Sequence, residues 1–118
     1  MMSAVDTYEI EIQGKAAHGA TPQLGCDSII TMAHYILNAQ AAFTRRIGPL
    51  EPAILTIGSV EAGKVYNIIS EHASIKGNLR TYDEEVRHRA LQIMQDALAS
   101  ADQLYGTESQ LRVIQSYP

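Results

Sequence analysis

The chain reads as an α+β domain of the split βαβ type, with element order β-α-β-β-α-β, a four-stranded antiparallel sheet and both helices on one face. Three observations predict it. Residues 7–13 and 73–82 alternate apolar and polar side chains with the period of two that a half-buried strand requires. Two longer stretches, one starting at Asp27 or Ser28 and one at Asp83, repeat apolar residues every three to four positions, as amphipathic helices do. Glycine- and proline-bearing turns separate the elements.

The elements follow in order. Residues 7–13 put Tyr8, Ile10 and Ile12 on one face and Glu9, Glu11 and Gln13 on the other, which makes a first strand. The run Gly14-Lys15-Ala16-Ala17-His18-Gly19-Ala20-Thr21-Pro22 then forms a loop whose small side chains leave its imidazole accessible. Loops held between rigid elements are common seats for binding groups. Asp27 or Ser28 caps the first helix, whose apolar stripe is expected at Ile29, Ile30, Ala33, Ile36, Leu37, Gln40 and Ala41. Arg45 and Arg46 suit its C-terminus, and Gly48-Pro49 ends it.

Residues 53–60 are short and β-branched, a second strand, and Glu61-Ala62-Gly63-Lys64 turns the chain. In the third strand Ala73, Ile75, Gly77, Leu79 and Thr81 share the core face, so Arg80 points away from the core. Asp83 caps the second helix, and Glu84 and Glu85 supply first-turn carboxylates. Its stripe is Val86, Ala90, Ile93, Ala97, Ala101 and Leu104; Gly106 stops it, and residues 111–115 form the last strand. This is the ferredoxin-like plan. Its uncovered face carries Glu9, Glu11, Lys76, Asn78 and Arg80, a platform on which a ligand could sit. The second strand lies at an edge, and Ile54, Leu55, Thr56 and Ile57 give it little charge to deter pairing. An isologous homodimer is expected, with two such edges meeting and the first helices packed beside them.

Composition bounds the function. The 118 residues suit one domain with a real core. A net charge of −4 with no basic run, and strands lacking paired exposed aromatics, argue against a nucleic-acid partner. No apolar run approaches the ~20 residues of a membrane span, and residues 1–7 lack signal-peptide features, so no membrane partner and a cytoplasmic setting are expected. The single cysteine, Cys26, excludes an internal disulfide and reads as a small hydrophobe.

His18, His34, His72 and His88 are scattered without metal-ligand spacing, so no metal ligand is assigned. Nucleophile elbow, phosphate loop and dinucleotide fingerprint are also missing. His34, His72 and His88 read as structural or solvated. A self-sufficient active site is therefore not expected, but three residues suit a site completed by other polypeptide. His18 could donate a hydrogen bond to an oxyanion, Asn67 could hold an amide or carboxylate, and Arg80 could fork onto a carboxylate. Their plain alternatives are a solvated loop histidine, a turn-shaping asparagine and a sheet-face charge.

The loop from Gly14 to Pro22, the phrase Leu50-Glu51-Pro52-Ala53, Gly58-Ser59 with Ala62-Gly63, Asn67-Ile68-Ile69, and Gly77-Asn78-Leu79-Arg80-Thr81-Tyr82-Asp83-Glu84-Glu85-Val86-Arg87 occur in one order. Together they resemble the inserted lid, or dimerisation, domain of the co-catalytic zinc amidohydrolases: aminoacylase, hippurate hydrolase, auxin-conjugate hydrolases and, more distantly, succinyl-diaminopimelate desuccinylase. The resemblance runs from about Tyr8 to Pro118. It implies that residues 1–118 are a single lid domain excised from a larger metal-dependent amidohydrolase acting on N-acyl amino acids or related amides. The absent catalytic domain would hold two divalent metal ions (zinc, or manganese or cobalt), and this fragment alone would be inactive. The resemblance assigns to His18 a reach into the partner subunit's active site, where it polarises the scissile carbonyl, and to Asn67 and Arg80 the substrate's carboxylate end. Ser70 departs from the family, which often has proline there. The alternative is a free-standing ferredoxin-like module for small-ligand binding or assembly.

Overall fold

The computed structural model describes residues 3–117; Met1, Met2 and Pro118 lie outside them. Strands β1 (Ala4–Gln13), β2 (Ala53–Ala62), β3 (His72–Thr81) and β4 (Glu108–Tyr117) form one sheet in the order β2-β3-β1-β4, with every neighbour antiparallel. Helices α1 (Ser28–Arg46) and α2 (Glu84–Tyr105) pack on each other and on one sheet face. The expected α+β plan is therefore the observed one, and β2 is an edge strand. β1 and β4 run longer than their alternating cores suggested, because the central β1 finds partners on both sides along nearly its whole length.

Tyr8, Ile10 and Ile12 of β1, Ile75 and Leu79 of β3 and Leu55 of β2 meet Tyr35, Ala39 and Phe43 of α1 and Ile93, Met94 and Leu98 of α2. Burial pushes the Tyr8 phenol up to about 12, and its hydroxyl donates to the Thr56 carbonyl at 3.0 Å. That contact needs a glycine opposite: a Cβ on Gly77 would lie 1.9 Å from Thr56 O. Asp27, rather than Ser28, caps α1, accepting from Ile29 N–H at 2.9 Å and Ile30 N–H at 3.4 Å. Asp83 caps α2 in the same way, and Gly106 closes it at φ 75°.

The α1 stripe corrects the sequence reading. The face against the sheet is Ser28, Thr31, Tyr35, Ala39 and Phe43. Ile29, Ile30 and Leu37 are 40%, 45% and 72% exposed, Ala33, Gln40 and Ala41 are exposed beside them, and only Ile36 packs partly on the core. Polar residues occupy the buried face because they satisfy one another: Thr31 Oγ1 lies 2.8 Å from Thr107 Oγ1, and Ser28 Oγ lies 2.8 Å from Ser70 Oγ. The expected α2 stripe holds except at Leu104, which is 64% exposed. At that last turn it is Tyr105 that turns inward, edge-on to His34.

Candidate functional site

The loop carrying His18 is clasped at its base and its tip. Lys15 and Cys26 exchange backbone hydrogen bonds of 2.8 and 2.9 Å, and Gly14 N–H donates to Glu71 O at 2.7 Å. A Cβ on Gly14 would fall 2.1 Å from Cys26 O, so only glycine permits this approach. At the tip, His18 forms a bridge with Ile68; Gly19 N–H donates to Asn67 O at 2.8 Å and Ile69 N–H to Ala17 O at 2.8 Å. His18 and Asn67, far apart in the chain, therefore sit on two backbones zipped together at one end of the sheet. Both side chains are exposed.

The imidazole is oriented by its own loop. His18 Nδ1 accepts the Ala20 N–H at 3.0 Å. In the neutral ring the proton then resides on Nε2, which faces outward as a donor. Ser70 follows the asparagine segment where proline is common in the resembled family. It is buried, receives the Ser28 hydroxyl hydrogen and donates to His72 O at 2.9 Å. Hydrogen bonds hold this turn where a proline ring would have stiffened it.

Arg80 is elsewhere. The β1–β3 register sets Gln13 opposite His72 at the His18 end and Val5 opposite Arg80 at the other. At ~3.3 Å per residue the two ends are about 25 Å apart. Within one chain, then, the structure brings His18 and Asn67 together and keeps Arg80 away. Arg80 does lie on the uncovered face, as its alternation predicts. The carboxylates of that platform have partners on it: Glu9 pairs with Arg112 and with Lys76, and Glu11 Oε2 lies 2.5 Å from His72 Nε2. The Arg112 hydrogen bond, more than the Lys76 contact, holds the Glu9 carboxyl below its usual value. Arg80 is left without an ion pair among the described residues.

Sequence reasoning missed Ala20 and Ile68, whose backbones orient His18. Backbone groups carry no residue-type signal, and the partner segment lies far away in the chain. Among the described residues no three His, Cys, Asp or Glu side chains converge as a metal ion would require. The two divalent ions implied by the resemblance are expected in other polypeptide, and the described residues offer no set of side chains to hold them. Among the described residues no helix is long and apolar enough to cross a membrane.

The family described as peptidase dimerisation domain matches residues 4–105. N-acetyl-L-cysteine deacetylase of Bacillus subtilis is 41% identical over 92 residues, 78% of this chain and 22% of that protein. N-acyl-L-amino acid amidohydrolase of Geobacillus stearothermophilus is 32% identical over 117 residues, 99% of this chain and 32% of that protein. The chain thus spans about a fifth to a third of the length of these relatives. Among solved structures, the aminobenzoyl-glutamate utilization protein of Klebsiella pneumoniae superposes with a TM-score of 0.88 at 21% identity, covering 98% of this chain and 29% of that one. A hydantoinase/carbamoylase family amidase of Burkholderia ambifaria gives 0.87 at 19%, covering 98% and 28%. At these identities the likeness is one of fold.

Proposed function

Because the chain belongs to the peptidase dimerisation domain family, we propose that it is the pairing and lid domain of a longer, metal-dependent amidohydrolase that cleaves N-acyl amino acids or related amides. The names of its relatives support the substrate class. Pairing uses the open β2 edge around Ile54 and Ile57 together with the apolar α1 face of Ile29, Ile30, Ala33 and Leu37, which the sheet leaves uncovered. Edge-to-edge association satisfies the free backbone groups of β2, and the helix faces add apolar burial.

The observation that carries the lid role is the His18–Ile68 bridge, which holds the loop of His18, with its Nδ1 occupied by the Ala20 N–H, against the backbone segment of Asn67. His18 is the catalytic residue in this reading. Its N–H donates to the scissile carbonyl oxygen and meets the negative charge that develops there, an interaction strengthened once closure excludes water. Asn67 and Arg80 are substrate-binding residues at the carboxylate end. A twofold axis through antiparallel β2 edges reverses one sheet relative to the other, so the His18 end of one copy lies alongside the Arg80 end of its partner. In this reading Arg80 of one copy serves the site that His18 of the other completes. The metal ions and their ligands belong to the remaining polypeptide of the longer enzyme.

The test is His18→Ala in that longer enzyme. A fall in kcat of about 100-fold or more on an N-acyl amino acid is expected, the scale of losing one oxyanion donor, with metal content and dimerisation unchanged. Unaltered kcat removes His18 from the chemistry.

A further inference from the structure

Leu50 is 93% exposed, yet it stands on a rigid turn. Glu51 N–H donates to Gly48 O at 3.0 Å, and Gly48 N–H donates back to Glu51 Oε1 at 3.2 Å. The Arg89 guanidinium grips both Glu51 carboxylate oxygens, at 3.1 and 2.5 Å. Pro49 and Pro52 flank the turn with fixed φ. A leucine held out to solvent on a clamped turn is a preorganised anchor, because little conformational freedom remains to be lost when it is buried.

A matching hollow lies at the other end of β2. A cavity of about 340 Å³ is lined by Ala16, Ala62, Val65, Ile68 and Ile69, with Glu61, Lys64, Glu71 and His72 also contributing. Leu50 of the same chain cannot reach it, since the ten-residue strand between them spans about 30 Å. Leu50 precedes β2 by as many residues as Val65 follows it. In a twofold antiparallel pairing centred on the middle of β2, each Leu50 is therefore carried to the Val65 end of the other copy.

We propose that Leu50 of each copy seats in the cavity of the other and so sets the register of the intersubunit sheet. The device answers a physical need. β2 carries few charges to distinguish one register of the intersubunit ladder from another. An anchor at each end, entering a hollow of the other copy, leaves one register in which both are filled. The inference rests on the dimer reading above and adds to it a residue, a receptor and a register.

The experiment uses Cys26→Ala as background, with Leu50→Cys and Val65→Cys singly and together. The double variant is expected to form a covalent dimer on mild oxidation or with a short bismaleimide, and the single variants are not. Leu50→Asp is expected to weaken dimerisation about tenfold or more in sedimentation equilibrium while leaving the fold intact. A chain that is dimeric by sedimentation but gives no crosslink, or whose Leu50→Asp variant dimerises as tightly as the parent, overturns the Leu50 assignment and leaves the dimer reading standing. A strictly monomeric chain overturns both.

Discussion

The Asp6 carboxylate lies in the fork of the Arg87 guanidinium, with Nε 2.7 Å from Oδ2 and Nη2 3.0 Å from Oδ1. Asp6 is 1% exposed, and Ser116 donates a further hydrogen bond to it. Three elements, β1, α2 and β4, are tied at one point. Burial alone would raise the carboxyl's pKa; the Arg87 and Ser116 hydrogen bonds and the Arg87 charge outweigh it, and the group sits below its usual value.

A carboxyl with a depressed folded-state pKa contributes stability that is fully present above its unfolded value of about 3.9 and fades as pH falls through the folded value. Acid unfolding should therefore steepen below about pH 4 in the parent and less so in Asp6→Asn. Arg87→Met strands a buried carboxylate and should cost about 3 kcal/mol at neutral pH, measured by urea denaturation. A loss well under 1 kcal/mol would mean the pair is not coupled to folding.

Gly77 makes a second prediction. Replacing it with alanine puts a Cβ against Thr56 O and 2.8 Å from the Tyr8 hydroxyl, so β2 must shift away from β3. A destabilisation of about 1–3 kcal/mol is expected, together with weaker dimerisation, because β2 is the pairing edge. Full stability in Gly77→Ala would contradict the close β2–β3 approach.

The two faces of α1 can be told apart by substitution. Leu37→Asp, on the exposed face, should leave monomer stability within about 0.5 kcal/mol while raising the dimer dissociation constant. Tyr35→Ala, on the buried face, should cost about 3–5 kcal/mol. If Leu37→Asp unfolded the monomer, the orientation of α1 would be wrong.

Arg80→Met in the longer enzyme is expected to raise KM for carboxylate-bearing substrates about tenfold or more, with little change in kcat. Arg80→Lys should recover only part of the loss, since an ammonium cannot reproduce a planar two-pronged contact. Equal KM values in parent and Arg80→Met would return Arg80 to a plain surface charge.

The α1 stripe shows where local reading stops. Its periodicity is real, but the helix carries two apolar stripes, and period alone cannot say which meets the sheet. The decision falls to Thr31 meeting Thr107 and Ser28 meeting Ser70, contacts between segments distant in sequence that make polar residues acceptable inside. Ser70 is a similar case, because its hydrogen bonds to Ser28 and His72 replace a stiffness that no neighbouring residue announces.

By itself the order of residues determined the β-α-β-β-α-β plan, a cap for α1 at Asp27 or Ser28 and for α2 at Asp83, the edge position of β2 and the accessibility of His18. Each follows from side-chain period, turn chemistry or connectivity, properties that act over a few neighbours. Tertiary structure alone decided which α1 face is buried, which ring nitrogen of His18 faces out, and that Asn67 stands beside His18 while Arg80 lies at the far end. Those outcomes depend on backbone hydrogen bonds between remote segments, and the groups that make them are the same in every residue.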